Sequence, residues 1–129
     1  MPRAKQLSLW VPDKVGMLGE VAGALGEKKV NIRAIMAATE GGRGAIRMVV
    51  DKPAAARKIF TSRGWQTTEE EVVEVTLPDS PGSLGKLASK LGKAGVNIEY
   101  IYAGSGGGAR KLNAYLGVAD IKAALKAAR

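Results

Sequence analysis

Three residue types able to hold a small zwitterion recur at one interval: Asp13, Gly16 and Asn31 return as Asp79, Gly82 and Asn97, each 66 positions later. A free amino acid offers a carboxylate and an ammonium. The turn into a helix at Gly16-Met17-Leu18, and again at Gly82-Ser83-Leu84, would supply unpaired backbone amides and the positive end of a helix dipole for the carboxylate. Glycine there has no Cβ to block close backbone approach. The amide oxygen of Asn31 or Asn97, strand carbonyls, or the carboxylates of Asp13 and Asp79 could accept from the ammonium. A purely structural reading stands beside this one. Asp13 and Asp79 are also the residue type that caps helices, Gly16 and Gly82 the type that turns a chain, and Asn31 and Asn97 the type that fits a tight entry into a strand.

The recurrence extends well beyond those three residues. Leu7 to Ala37 aligns without a gap on Val73 to Ala103 and matches Pro12, Leu18, Gly19, Leu25, Val30 and Ile32, among others, with their counterparts. A fixed-period repeat must be recognised before a fold is proposed. It divides the 129 residues into two small units, 1–70 and 71–129. Units of that size bury only about 60% of their unfolded surface, so each gains from a neighbour.

Composition narrows the chemistry. The chain has no Cys and no His, which removes disulfides, thiolate nucleophiles, the usual metal ligands and the commonest general base. No acid and base cluster at a catalytic spacing, so the sequence reads as non-catalytic, with no metal and no cofactor. The formal charge is +8, from 20 basic and 12 acidic side chains. The basic residues are scattered, and one Phe and two Trp make no stacking platform, so nucleic-acid binding is disfavoured. The N-terminus leads straight into alternating strand residues and no apolar run reaches membrane-spanning length, which gives a cytoplasmic, membrane-free expectation.

Periodicity sets out the elements that must position these residues. Leu7–Val11 alternates as a strand, and Leu18, Val21, Ala22 and Leu25 lie on one helical face that Gly26 and Lys28-Lys29 close. Val30 to Met36 is a strand, Glu40 to Gly44 a turn and Ala45 to Val50 the returning strand. Asp51 and Pro53 start a helix over 54–61, and Trp65 to about Glu70 forms a fourth strand. The second unit begins with a strand over 73–77 and a helix carrying Leu84, Leu87, Ala88 and Leu91. A strand over 96–102, a glycine-rich turn over 104–108, a strand over 110–118 and a helix capped by Asp120 follow. No fourth strand follows, so the edge of this unit calls for another segment or another subunit, and a homodimer is expected.

Glu69, Glu70, Glu71 and Glu74 read as a solvated, aggregation-resistant edge, and the glycine-rich turn, which lacks a G-K-[ST] ending, as a hairpin rather than a phosphate loop. Met17, Met36 and Met48 read as core filling. The order βαββαβ, helices on one face of a four-stranded antiparallel sheet, is the ferredoxin-like arrangement; two such α+β units are expected to pack together, the second lacking its final strand.

Asp79-Ser80-Pro81-Gly82-Ser83-Leu84 with Gly95-Val96-Asn97-Ile98 resembles the signature of ACT domains, small amino-acid-binding regulatory modules of amino-acid metabolism. Asp13-Lys14-Val15-Gly16-Met17-Leu18 with Val30-Asn31-Ile32 carries it less completely, Val15 standing where the family has Pro. The chain as a whole resembles stand-alone tandem ACT proteins. That resemblance implies a dimeric sensor whose ligand lies where one domain's helix-start loop faces a neighbouring domain's strand opening. It puts the site at Asp13, Val15, Gly16, Met17, Leu18, Asn31 and Ile32, and at Asp79, Pro81, Gly82, Ser83, Leu84, Asn97 and Ile98, with Met36 and Tyr102 as walls. Of the two copies, the second is the one expected to bind if only one does. A second reading makes the protein the regulatory partner of an amino-acid biosynthetic enzyme such as an acetolactate synthase.

Overall fold

The computed structural model describes residues 3–105 and 110–128. The chain divides into two compact units, Lys5–Glu70 and Glu71–Arg129 with Met1–Ala4. The strands are β1 (Arg3–Pro12), β2 (Ile32–Glu40), β3 (Arg43–Val50), β4 (Gln66–Pro78), β5 (Ile98–Ser105) and β6 (Lys111–Val118), and the helices are α1 (Met17–Glu27), α2 (Pro53–Ser62), α3 (Ser83–Lys93) and α4 (Ile121–Ala127). No helix among the described residues is long and apolar enough to cross a membrane.

In the first unit the strand order is β2-β3-β1-β4, with β3 antiparallel to both of its neighbours. Alternation sends Leu7, Leu9 and Val11 of β1 to the same side as Ile46, Met48 and Val50 of β3, where Val21 and Leu25 of α1 and Ala56 and Phe60 of α2 meet them. Gly41 and Gly42, both at positive φ, form a two-residue turn that brings Glu40 opposite Arg43. The second unit repeats this layout in the order β4-β6-β5, again antiparallel. Its core is Val73 and Val75 against Ala114 and Leu116, covered by Leu87 and Leu91 of α3 and Ala124 of α4. No strand follows α4 among the described residues. Arg3 of this unit forms an ion pair of 2.8 Å with Glu71, on the strand whose edge was expected to lie open.

Several elements differ from the sequence reading. The strand expected over 65–70 and the one over 73–77 are a single 13-residue strand, because Glu69-Glu70-Glu71 contains no turn former to interrupt them. Within that run Glu70 is not a solvated edge residue. Gln6 and Ser8 are buried, and Glu70 accepts from Gln6 Nε2 at 2.9 Å and from the Ser8 hydroxyl, so its carboxylate serves two buried polar side chains. The expected helical stripe is also displaced. Met17, Val21, Ala24 and Leu25 are the buried residues of α1, whereas Leu18 and Leu84 remain 47% and 42% exposed. Gly106 to Gly108 of the glycine-rich turn lie outside the described residues.

Asp51 does not cap α2. The cap position is Lys52 and carries no side-chain cap bond, with Pro53 in the first turn. Asp120 does cap α4, accepting from the Ala123 amide at 3.0 Å. The two long helices end differently: Gly95 takes a left-handed φ of 76° after α3, and at the corresponding position after α1 a lysine, Lys29, takes φ 57°. A side chain in that conformation costs about 1–2 kcal/mol, partly offset by the roughly 0.5–1 kcal/mol of extra entropy that glycine loses on folding. Lys29→Gly is therefore expected to raise the stability of the protein by about 0.5 kcal/mol, and Gly95→Ala to lower it by about 1 kcal/mol, in urea unfolding.

Candidate functional site

Each helix of the repeat begins on a glycine that only glycine suits. Gly16 has φ 86° and Gly82 has φ 88°, and each is the N-cap of its helix. A Cβ placed on either would meet nothing within 4 Å, so the requirement is backbone conformation rather than close approach. The carbonyls of Gly16 and Gly82 accept the first helical bonds, from Glu20 and Lys86, each at 3.0 Å. The amides of Met17 and Ser83 turn back to Lys14 and Ser80 carbonyls at 3.3 and 3.2 Å. That leaves the amides of Leu18 and Gly19, and of Leu84 and Gly85, as the ones without a protein acceptor among the described residues. They point along the positive end of the helix dipole and suit a carboxylate.

Asp13 and Asp79 cap neither helix. Asp13 is exposed and accepts from the Thr39 hydroxyl at 3.3 Å, which links the helix-start loop to the far end of β2. Asp79 is exposed too, and its amide donates to the Arg110 carbonyl at 2.7 Å. Val15 is fully exposed and Met17 is buried. In the second copy the Ser80 and Ser83 hydroxyls share a hydrogen bond of 2.9 Å across Pro81, which ties that turn more closely than its twin.

A cleft of 230 Å³ opens beside the first loop, with Asp13, Lys14, Met17, Leu18, Ala37 and Thr39 among its walls. Its size suits a small amino acid. A cleft of 420 Å³ beside the second loop is walled by Leu77, Ser80, Pro81, Ser83, Lys86 and Lys90 among others. The duplicated loops thus open onto different surroundings, one with a carboxylate and a lysine and one with two lysines.

Asn31, Ile32, Asn97 and Ile98 line neither cleft. Asn31 precedes β2 and Thr39 sits near its other end, so at ~3.3 Å per residue Asn31 lies roughly 25 Å along the strand from the residue that binds Asp13. No amino acid could touch both within one unit. Asn31 is held by a feature the sequence reading assigned elsewhere: Asp51 Oδ1 accepts from the Asn31 amide at 2.9 Å, and the Asp51 amide returns a bond to the Asn31 carbonyl at 3.1 Å. This exchange fixes the Asn31 backbone and leaves its side chain exposed. Nothing in the spacing of Asp51 signals it, because the strand pairing brings the two residues together. Met36 is half-buried, and Tyr102 is buried and stacked on Tyr115 at 5.4 Å between ring centres.

Among the described residues no group of three or more His, Cys, Asp or Glu side chains could hold a metal ion. The hydrogen bond and charge of Arg47 hold the Glu40 carboxyl below its ordinary range, on the β2–β3 hairpin.

Residues 5–57 match the family model of the ACT domain. A comparison with curated proteins gave no match. Among solved structures, protein BT0572 from Bacteroides thetaiotaomicron is similar at 28% identity over 97% of this chain and 85% of that one, with a TM-score of 0.89. The regulatory subunit of aspartate kinase from Thermus thermophilus shares the fold at 20% identity and a TM-score of 0.71, over 98% of this chain and 95% of that one. Its counterpart from Thermus flavus does so at 19% and 0.70, over 99% and 95%. Residues 5–57 are therefore similar to an ACT domain, and the second unit repeats the antiparallel layout of the first.

Proposed function

We propose that this protein is a non-catalytic amino-acid sensor. The observation that carries the reading is the pair of unpartnered amides at each helix start, behind a left-handed glycine, in a chain with an ACT domain. The ligand carboxylate sits on the Leu18 and Gly19 amides or on the Leu84 and Gly85 amides. Asp13 or Asp79 takes the ammonium from the loop side. Because the strand-opening asparagine of a unit stands far from that unit's own loop, Asn31 or Asn97 acts on a ligand held by a facing ACT unit. Occupancy regulates only if the ligand prefers one arrangement of the units over another.

The second copy is the stronger binder in this reading. Pro81 fixes one backbone angle, and the Ser80–Ser83 bond holds the turn before any ligand arrives, so less freedom is lost on binding. A ligand at 100 times its dissociation constant adds about 2.7 kcal/mol, which for a chain of this length raises the melting temperature by roughly 10 °C. A thermal-shift screen of the twenty amino acids at millimolar concentration is expected to find at least one such ligand, and twenty flat traces would end the proposal.

Substitution in the two copies separates them. Asp79→Ala with Asn97→Ala is expected to weaken binding by at least about tenfold, the equivalent of one hydrogen bond to a charged group. Asp13→Ala should have the smaller effect. Isothermal titration of the three proteins measures this, and an unchanged affinity in the double variant would contradict the assigned site.

A further inference from the structure

The internal repeat provides a control on how each core is filled. Leu7 faces Met48 in the first unit and Val73 faces Leu116 in the second, so counterparts lie 66 residues apart before the β2–β3 hairpin and 68 apart after it. The second helices keep that offset: Lys52 and Asp120 both stand at N-caps, and Ala56 and Ala124 are both buried. Met17 therefore corresponds to Ser83, and Phe60 to Ala128. Met17 and Phe60 are buried members of the first unit's core. Serine and alanine supply far less volume, and both line the 420 Å³ cleft of the second unit.

The floor of that cleft is apolar. Val75 and Leu87 are buried and Leu77 is partly buried, and their counterparts Leu9, Val21 and Val11 belong to the same core as Met17 and Phe60. The cleft thus occupies the region that a thioether and a phenyl ring fill in the first unit. Its mouth has changed in charge as well. Glu20 and Ala24 of α1 are replaced on α3 by Lys86 and Lys90, exposed and one helical turn apart. The Ser80 and Ser83 hydroxyls share one hydrogen bond, so one of their two hydrogens is left to donate elsewhere. Among the described residues no Asp or Glu lines the cleft.

We propose that this cleft binds a small monocarboxylate with an apolar body about the size of an aromatic ring. The body lies on Val75, Leu77, Leu87 and Ala128, in the space the first unit gives to its own side chains. The carboxylate lies at the mouth, where Lys86, Lys90 and the remaining serine hydrogen donate to it. The volume falls within the range of about 300–1,000 Å³ usual for small-molecule sites, and an apolar wall with donors at one end fixes the direction of such a ligand. A zwitterion is disfavoured, because its ammonium would stand beside two lysines with no carboxylate to receive it. Asp79, Leu84 and Gly85 do not line the cleft. The site is therefore separate from the one proposed for an amino acid, and the inference does not rest on that reading.

Isothermal titration of the native protein with phenylacetate is expected to show a saturable site. Benzylamine, the same ring with the opposite charge, and acetate, the same charge without the ring, should each bind at least about tenfold more weakly. Ser83→Met, which restores the first unit's residue, should weaken phenylacetate by at least about tenfold by filling the cleft. Lys86→Gln with Lys90→Gln, at exposed positions, should weaken it by a similar factor and remove its advantage over benzylamine. No saturable binding at millimolar phenylacetate overturns the inference. So does benzylamine binding as tightly as phenylacetate, or a phenylacetate affinity that either variant leaves unchanged. Failure here with amino-acid binding retained removes this site alone, whereas phenylacetate binding in a protein that ignores all twenty amino acids removes only the sensor reading.

Discussion

The strand-to-helix turn at Gly16 and Gly82 is the constraint from which the rest of each unit follows. With φ near 87° in both copies, the chain reverses within a few residues and sends the helix back across the sheet. The reversal puts Val21 and Leu25, or Leu87 and Leu91, over the strand residues that need covering. The same geometry spends the first helical amide on a turn bond and leaves the next two unpartnered. Core packing and the unpartnered helix-start amides are therefore produced by one backbone conformation. The two copies share this angle to within 2° although their loops differ at Val15 against Pro81 and Met17 against Ser83.

Much of this was legible in the sequence because the repeat fixes the frame and two periodicities fill it. Strands whose alternate residues are apolar, and helices flanked by glycine, fall close to the expected places. What could not be read was decided by tertiary contact. The stripe containing Leu18 and Leu84 satisfies a helical spacing, yet only one side of it meets the sheet, and both leucines lie on the flank. Asp51 has the type and position of a cap, but the Asn31 amide across the strand end competes for its carboxylate and wins. Glu70 belongs to a run that reads as solvated, and only the pairing of β1 with β4 reveals that it meets two buried polar side chains, Gln6 and Ser8. The candidate site was legible in its residue types. Its separation into loop residues at one end of β2 and Asn31 at the other follows from strand length, which periodicity gives only loosely.

Divergence between the copies is not uniform. At the helix ends, Lys29 accepts a strained angle that Gly95 adopts freely, and Lys52 Nζ donates to the Lys29 carbonyl at 3.2 Å in partial compensation. In the helix starts, a loop tied by the Ser80–Ser83 bond replaces one whose Val15 is fully exposed. The first copy has kept the shape with less local support, and it packs Phe60 with Trp65 beside it at 5.9 Å, whereas the second unit stacks Tyr102 on Tyr115 at 5.4 Å.

The sheets show how such divergence stays compatible with one fold. In the first unit Ala34 pairs with Val49, and in the second Tyr100 pairs with Gly117 at the corresponding place beside the bulge. The second pair is large over small: a Cβ built on Gly117 would fall inside the Tyr100 ring. Neither partner could have changed far without the other, since a tyrosine over valine would collide and an alanine over glycine would leave a gap. Charge on α1 and α3 follows the same logic at the surface. Glu20 and Glu27 are opposite in sign to Lys86 and Lys93 as a set, so that each flank carries one charge rather than a mixture. Compensation in pairs lets the two units keep a common backbone while presenting different chemistry from equivalent positions.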